Sequence, residues 1–120
     1  MRLEKPLSNV AKGWYFGPWN TDSTISVGYA NEGVDEPHYH RRMTEIYLMA
    51  RGVATMQVDG RPVALEAGDV IVIEPGEVHT FLHASPDHFH FVIQTPGLAG
   101  DEAVADKVVI ATAPGLPPPT

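Results

Sequence analysis

Between Ser23 and Gln94 the chain is cut into short apolar runs by turn residues at close, even intervals. The runs are Ser23–Ala30, Glu45–Gly52, Val53–Val58, Arg61–Leu65, Val70–Glu74, Val78–Ala84 and His88–Gln94. Asp59–Gly60 separates two of them, and this pair tolerates the positive φ angles that a type I′ hairpin turn demands. Glu66–Asp69, Pro75–Glu77 and Ser85–Asp87 break the chain in the same way. No helical pattern intervenes between the runs, and each is too short to be read as an ordinary helix. Seven strands arranged like this predict an all-β antiparallel sandwich or small barrel. Leu98–Asp106 could hold a short helix and Lys107–Ala111 a last strand. The expected organisation is an aromatic-rich arm over residues 1–22, a barrel over 23–112 and a proline-rich tail over 113–120.

Composition narrows the partners. A hydrophobic fraction of 43% suits a soluble globular domain. The net charge of −7 argues against a nucleic-acid backbone or an anionic membrane as partner, since both select basic surfaces. Arg41–Arg42 is the one local basic pair. With no cysteine, disulfide scaffolds and thiolate zinc sites are excluded. The first residues, MRLEKPLSNVAKGW, contain no apolar run resembling a signal peptide, so a cytoplasmic location is expected.

Six histidines carry the chemistry: His38, His40, His79, His83, His88 and His90. Successive side chains of a strand point to opposite faces, so His38 and His40 share one. Glu45 lies an odd number of residues from His40 and would face away on an uninterrupted strand. The polar stretch RRMT could reverse the chain and bring Glu45 back to the histidine side. Such a group becomes a ligand set if a distant donor converges on it. His79 is the candidate, because Pro75 and Gly76 fix a bend just before it. The aromatics Trp14, Tyr15, Phe16 and Trp19 suit a pocket wall, core packing or a subunit contact.

At these residues the chain resembles the cupin family. Gly33, the His38-x-His40 pair, Glu45 and Gly52 follow the family's first motif. Gly68, Pro75-Gly76 and His79 follow its second. The Gly33 spacing is one residue short, Glu74 stands where the motif has proline, and His83 where it ends in asparagine. The resemblance implies a small double-stranded β-helix, the cupin or jelly-roll barrel. It also implies a mononuclear site made by His38, His40, Glu45 and His79. Three imidazoles and a carboxylate suit one divalent transition metal: Fe, Mn, Ni, Cu or Zn.

Proteins of this fold include dioxygenases, decarboxylases, isomerases and non-catalytic sensors, so the fold leaves function open. The first expectation is a metal-dependent enzyme acting on a small oxygen-rich molecule, dioxygenase-like. The alternatives are a non-redox isomerase or lyase and a small-ligand-binding module. If Val78–Ala84 stays extended, His83 faces inward with His79 and Phe81 and could move protons as a catalytic residue. Tyr47, Met49, Phe81 and Gln94 are expected to line the substrate pocket. His88 and His90 are expected to face solvent or an interface, opposite Phe89 and Phe91. A homodimer is expected, as in proteins that resemble this one.

Overall fold

The computed structural model describes residues 1–7, 10–31 and 36–110. Among the described residues, ten strands and one helix follow in chain order. They are β1 (Lys12–Phe16), β2 (Ser26–Ala30), β3 (His38–His40), β4 (Thr44–Arg51), β5 (Val53–Val58), β6 (Arg61–Glu66), β7 (Val70–Ile73), β8 (His79–Ala84), β9 (Phe89–Thr95), α1 (Gly100–Asp106) and β10 (Lys107–Val109). The strands make two five-stranded sheets, ordered β1-β2-β9-β4-β7 and β10-β3-β8-β5-β6, and every pairing is antiparallel. Neighbours in each sheet are mostly distant in sequence, which is the winding of a double-stranded β-helix.

The apolar runs of the sequence become β2 and β4–β9, shifted by a few residues at most. Asp59 and Gly60 adopt φ of 48° and 83°, and they close the β5–β6 hairpin that their pairing requires. One strand was not anticipated: β1 lies inside the expected N-terminal arm and pairs with β2. β3, on which His38 and His40 share a face as the alternation implied, is only three residues long. The expected short helix is present as α1. The tail at 113–120 and the Gly33 loop lie outside the described residues.

The core fills the space between the sheets. Alternate residues of β4 and β5 point into it, including Tyr47, Met49, Ala54 and Met56, and meet Leu65, Ile73, Phe81 and Val92. Met56 is fully buried. The outer face of the first sheet carries its own aromatic layer. Tyr29 stacks on Phe89 with centroids 5.7 Å apart, and Tyr15 lies 5.1 Å from Tyr29 and 6.2 Å from Phe91. Burial, and after it the charge of the neighbouring Tyr29 hydroxyl, raises the Tyr15 hydroxyl above its ordinary value. Among the described residues, no helix is long and apolar enough to cross a membrane.

Candidate metal centre

Antiparallel register assembles the four expected ligands. His38 on β3 stands directly opposite His79 on β8, and Arg41–Met43 turn the chain from β3 into β4, which carries Glu45. Crossing from one sheet to the other at that turn returns Glu45 to the histidine side. His38, His40, Glu45 and His79 are all buried, and one ligand atom from each lies within 4.8 Å of the others. Glu45 Oε1 is the hub, at 2.8 Å from His79 Nε2, 3.0 Å from His40 Nε2 and 3.9 Å from His38 Nε2. Tyr47 donates its hydroxyl proton to the same oxygen at 3.1 Å, and Gln94 Nε2 donates to Oε2 at 2.9 Å. Both carboxylate oxygens are thereby oriented.

The far side of each ring is tied down. The Nδ1 of His38 donates to the Glu36 carbonyl at 2.7 Å, and that of His79 to the Glu77 carbonyl at 2.9 Å. The Nδ1 of His40 donates to Asp106 Oδ2 at 2.9 Å. Carbonyl and carboxylate oxygens accept only, so each Nδ1 carries a proton and each Nε2 is left facing Glu45, where it donates to the carboxylate when protonated and offers its lone pair to a metal when neutral. Outward hydrogen bonds of this kind orient histidines that ligate metals. Asp106 also accepts the Arg42 backbone N–H at 2.6 Å, so the end of α1 is clamped to the β3–β4 turn.

The donor set fits a divalent ion. Burial pushes the Glu45 carboxyl up, but the surrounding imidazoles of His38, His40 and His79 outweigh this and hold it well below the usual carboxylate range. Burial also pushes the His40 ring down, yet the carboxylates of Glu45 and Asp106 on its two sides leave it above its ordinary value. The pocket therefore favours positive charge at its centre. His40 Nε2 is buried and makes no hydrogen bond, although Glu45 Oε1 is near. Imidazole nitrogens and carboxylate oxygens this close need a proton or a metal cation between them, and a metal ion would be held by all four residues.

The other sequence-based expectations divide. Tyr47, Phe81 and Gln94 line the cavity that opens from the cluster, whose volume is about 590 Å³. Met49 does not line it and packs into the core. His83 is exposed and faces away from the cavity. Between the pairs Thr55↔His83 and Met56↔Phe81 the register slips, with Leu82 as the extra residue on β8. This bulge inverts the alternation after Phe81, so the condition for an inward His83 is not met. His88 and His90 correct the expectation in the other direction. They are 1% and 3% exposed, with His90 Nδ1 at 2.9 Å from His88 Nε2. Phe89 and Phe91 do take an apolar side, but it is the outer face, under Tyr15 and Tyr29. Arg41 and Arg42 serve α1: Arg41 Nε donates to the Ala105 carbonyl at 3.2 Å, and Arg42 pairs with Glu102 at 3.6 Å. Asp106 was missed, since nothing in its seven-residue helix marks it as the partner of a histidine 66 residues away.

The cupin domain family model matches residues 26–94, more than half of the chain, and the chain belongs to this family. Curated protein sequences give no significant match. Among solved structures, KdgF from Halomonas sp. superposes with a TM-score of 0.62 at 19% identity, over 77% of this chain and 81% of that one. Streptomyces Pac13 with uridine gives 0.67 at 13% identity, over 93% and 88%. Pac13 is a nucleoside dehydratase. A double-stranded β-helix protein from Klebsiella pneumoniae gives 0.61 at 20% identity, over 88% and 89%. Identities this low establish the shared fold and carry nothing about substrate.

Two outcomes test this geometry. His79→Ala is expected to abolish stoichiometric metal binding with the circular dichroism of the barrel retained. Asp106→Asn, which can no longer hold the His40 proton in the same way, is expected to weaken metal affinity by roughly 10–100-fold. Unchanged affinity in both variants, measured by competition with a chelator, would refute the ligand assignment.

A third outcome concerns pH. Burial holds the His88 imidazole below its ordinary value of 6.5, with Asp87 opposing and His90 as its buried neighbour. A histidine with a depressed pKa contributes stability that is present above 6.5 and lost as pH falls through the folded-state value. His40, shifted upward, acts in the adjoining window above 6.5 and with the opposite sign. Urea denaturation of chelator-treated protein should therefore show a shallower loss of stability from pH 7 towards pH 5 in His88→Gln than in the parent. Parallel curves would contradict the burial of a neutral His88.

Proposed function

We propose that the chain is a divalent-metal-dependent enzyme that acts on a small oxygen-bearing molecule by non-redox proton-transfer chemistry, as a lyase or isomerase. The observation that carries this reading is that three members of the four-residue cluster, His38, His40 and Glu45, line a cavity of about 590 Å³ that also holds proton-carrying side chains. Cavities of this size enclose small molecules. A bound ion would supply Lewis acidity towards a carbonyl or hydroxyl oxygen of the substrate.

The protein's own groups supply orientation and protons. Gln94 and Tyr47 hold Glu45 in one attitude through its two oxygens. The Tyr47 ring lies 6.1 Å from His79 and 5.4 Å from His90, centroid to centroid, so its hydroxyl sits where the cluster meets the cavity. His90 lines the same cavity and shares a hydrogen bond with His88 behind it, which lets a proton gained at one ring be redistributed over two. Phe81 stacks on His90 at 4.8 Å and keeps water from that side. The same fold carries a dehydratase in Pac13, so elimination of water is a chemistry this scaffold can host.

An oxygenase is the second reading, favoured by the donor set alone: three imidazoles and one carboxylate accept iron(II) as readily as zinc. The two are separated by loading the protein with zinc or iron and screening hydroxy and oxo acids. Proton-transfer chemistry predicts turnover with the zinc form and no oxygen consumption. It also predicts that Tyr47→Phe lowers kcat by about 10²–10⁴-fold with metal content unchanged. Oxygen uptake stoichiometric with product, seen only in the iron form, would overturn it in favour of the oxygenase. Full activity in Tyr47→Phe would remove the hydroxyl from the chemistry.

A further inference from the structure

The cavity is built for one kind of molecule, and its mouth shows which. Both tryptophans of the chain stand there, Trp14 and Trp19, and they are 47% and 46% exposed. Half-exposed indoles are costly to leave in water, and side by side they mark a contact surface. Their rings meet edge to face, with centroids 6.0 Å apart and planes at 79°.

Both rings are seated. A Cβ at Gly28 would come within 2.7 Å of the Trp14 ring, and one at Gly17 within 2.0 Å of the Trp19 ring. Trp14 thus lies on the bare backbone of β2. Trp19 rides on a turn in which the Asn20 and Thr21 backbone N–H groups both donate to the Gly17 carbonyl, at 3.2 and 3.1 Å. Asn20 Oδ1 accepts the Gly17 N–H at 3.1 Å. These contacts hold the indoles in place before any ligand arrives.

Charge gives the second part. The chain carries −7 overall, yet two of its three lysines, Lys12 and Lys107, line this cavity. Among the described residues, Glu45 is the only carboxylate that does. Lys107 stands opposite His40 in the β10–β3 pairing, beside the cluster. On the other sheet Trp14 pairs with Gly28, which pairs with Val92, and Lys12 pairs with Ala30, which pairs with His90. Paired residues of neighbouring strands share a face. From the Glu45–Gln94 row outward, the inner surface therefore presents first the Trp14 row and then the Lys12 row, at steps of about 6–7 Å along the strands. That is the width of one aromatic ring per step.

We infer that the substrate is an anion bearing a planar conjugated ring, its ring held against Trp14 and Trp19 and its charge met by Lys107 and Lys12. The assignment rests on the proposed metal-dependent reading for the end of the molecule that meets the cluster. Ring and charge selection belong to different residues, so the two can be tested apart from the metal.

Zinc-loaded protein would be titrated with phenylpyruvate, with pyruvate, which lacks the ring, and with phenylacetone, which lacks the carboxylate. Calorimetry gives the affinity, and quenching of the two tryptophans gives the location. Phenylpyruvate is expected to bind at least tenfold more tightly than either partial probe. The double variant Lys12→Met, Lys107→Met, at two exposed positions, should bring phenylpyruvate and phenylacetone to within about threefold of each other. Trp19→Leu should do the same for phenylpyruvate and pyruvate. Stripping the zinc should weaken all carbonyl probes together and leave both ratios standing. If zinc removal changes nothing, the metal-dependent reading fails while the ring and charge assignment stands. If phenylpyruvate shows no preference in the parent, or the ratios survive the substitutions, the inference is wrong.

Discussion

A carboxylate buried among three imidazole rings is tolerable only where every strand that carries them is locked in register. Glu45 is 4% exposed and its partners are nearly as deep. An unpaired charge at that depth would carry a desolvation penalty of several kcal/mol. It is met by hydrogen bonds from Tyr47 and Gln94 and by imidazoles whose outer nitrogens are anchored on Glu36, Glu77 and Asp106. Those anchors belong to β3's approach, β8's approach and the end of α1. The site therefore ties together segments that share no local sequence. A one-residue slip in β3, β4 or β8 would turn a ligand to the opposite face.

Much of this was legible because strands have a period of two. The alternation that places Tyr47, Ala54 and Met56 in the core also places His38 beside His40 and His79 beside Phe81. The turn signals were equally direct, with Asp59–Gly60 closing one hairpin and Pro75–Gly76 bending the chain ahead of His79. What escaped had no local signature. The bulge at Leu82 is marked by neither glycine nor proline, so continuing the alternation put His83 on the wrong face. His88 and His90 were assigned outward because phenylalanines were expected to take the inner side. The outer face of the first sheet proved aromatic as well, covered by Tyr15 and Tyr29. Asp106 reaches His40 only through the closure of α1 against the β3–β4 turn, a tertiary contact that no window of the sequence contains.

The two halves of the cavity divide the work between them. Its inner wall offers a converging donor set, a tyrosine hydroxyl and a coupled histidine pair. Its mouth offers two seated indoles and two lysines on the edge strands β1 and β10. The lysines thus sit on edge strands, while the cluster sits on β3, β4 and β8 inside the sheets. On the proposed reading, substrate selection and metal binding rest on different strands of the same cavity.

The central claim is that His38, His40, His79 and Glu45 bind one divalent ion together. X-ray absorption on zinc-loaded protein measures this at the ion itself. The account predicts one zinc per chain with three imidazole scatterers and oxygen completing the sphere, at about 2.0–2.2 Å. Zinc surrounded by one imidazole or none, or bound equally well after all three histidines are replaced, would contradict it.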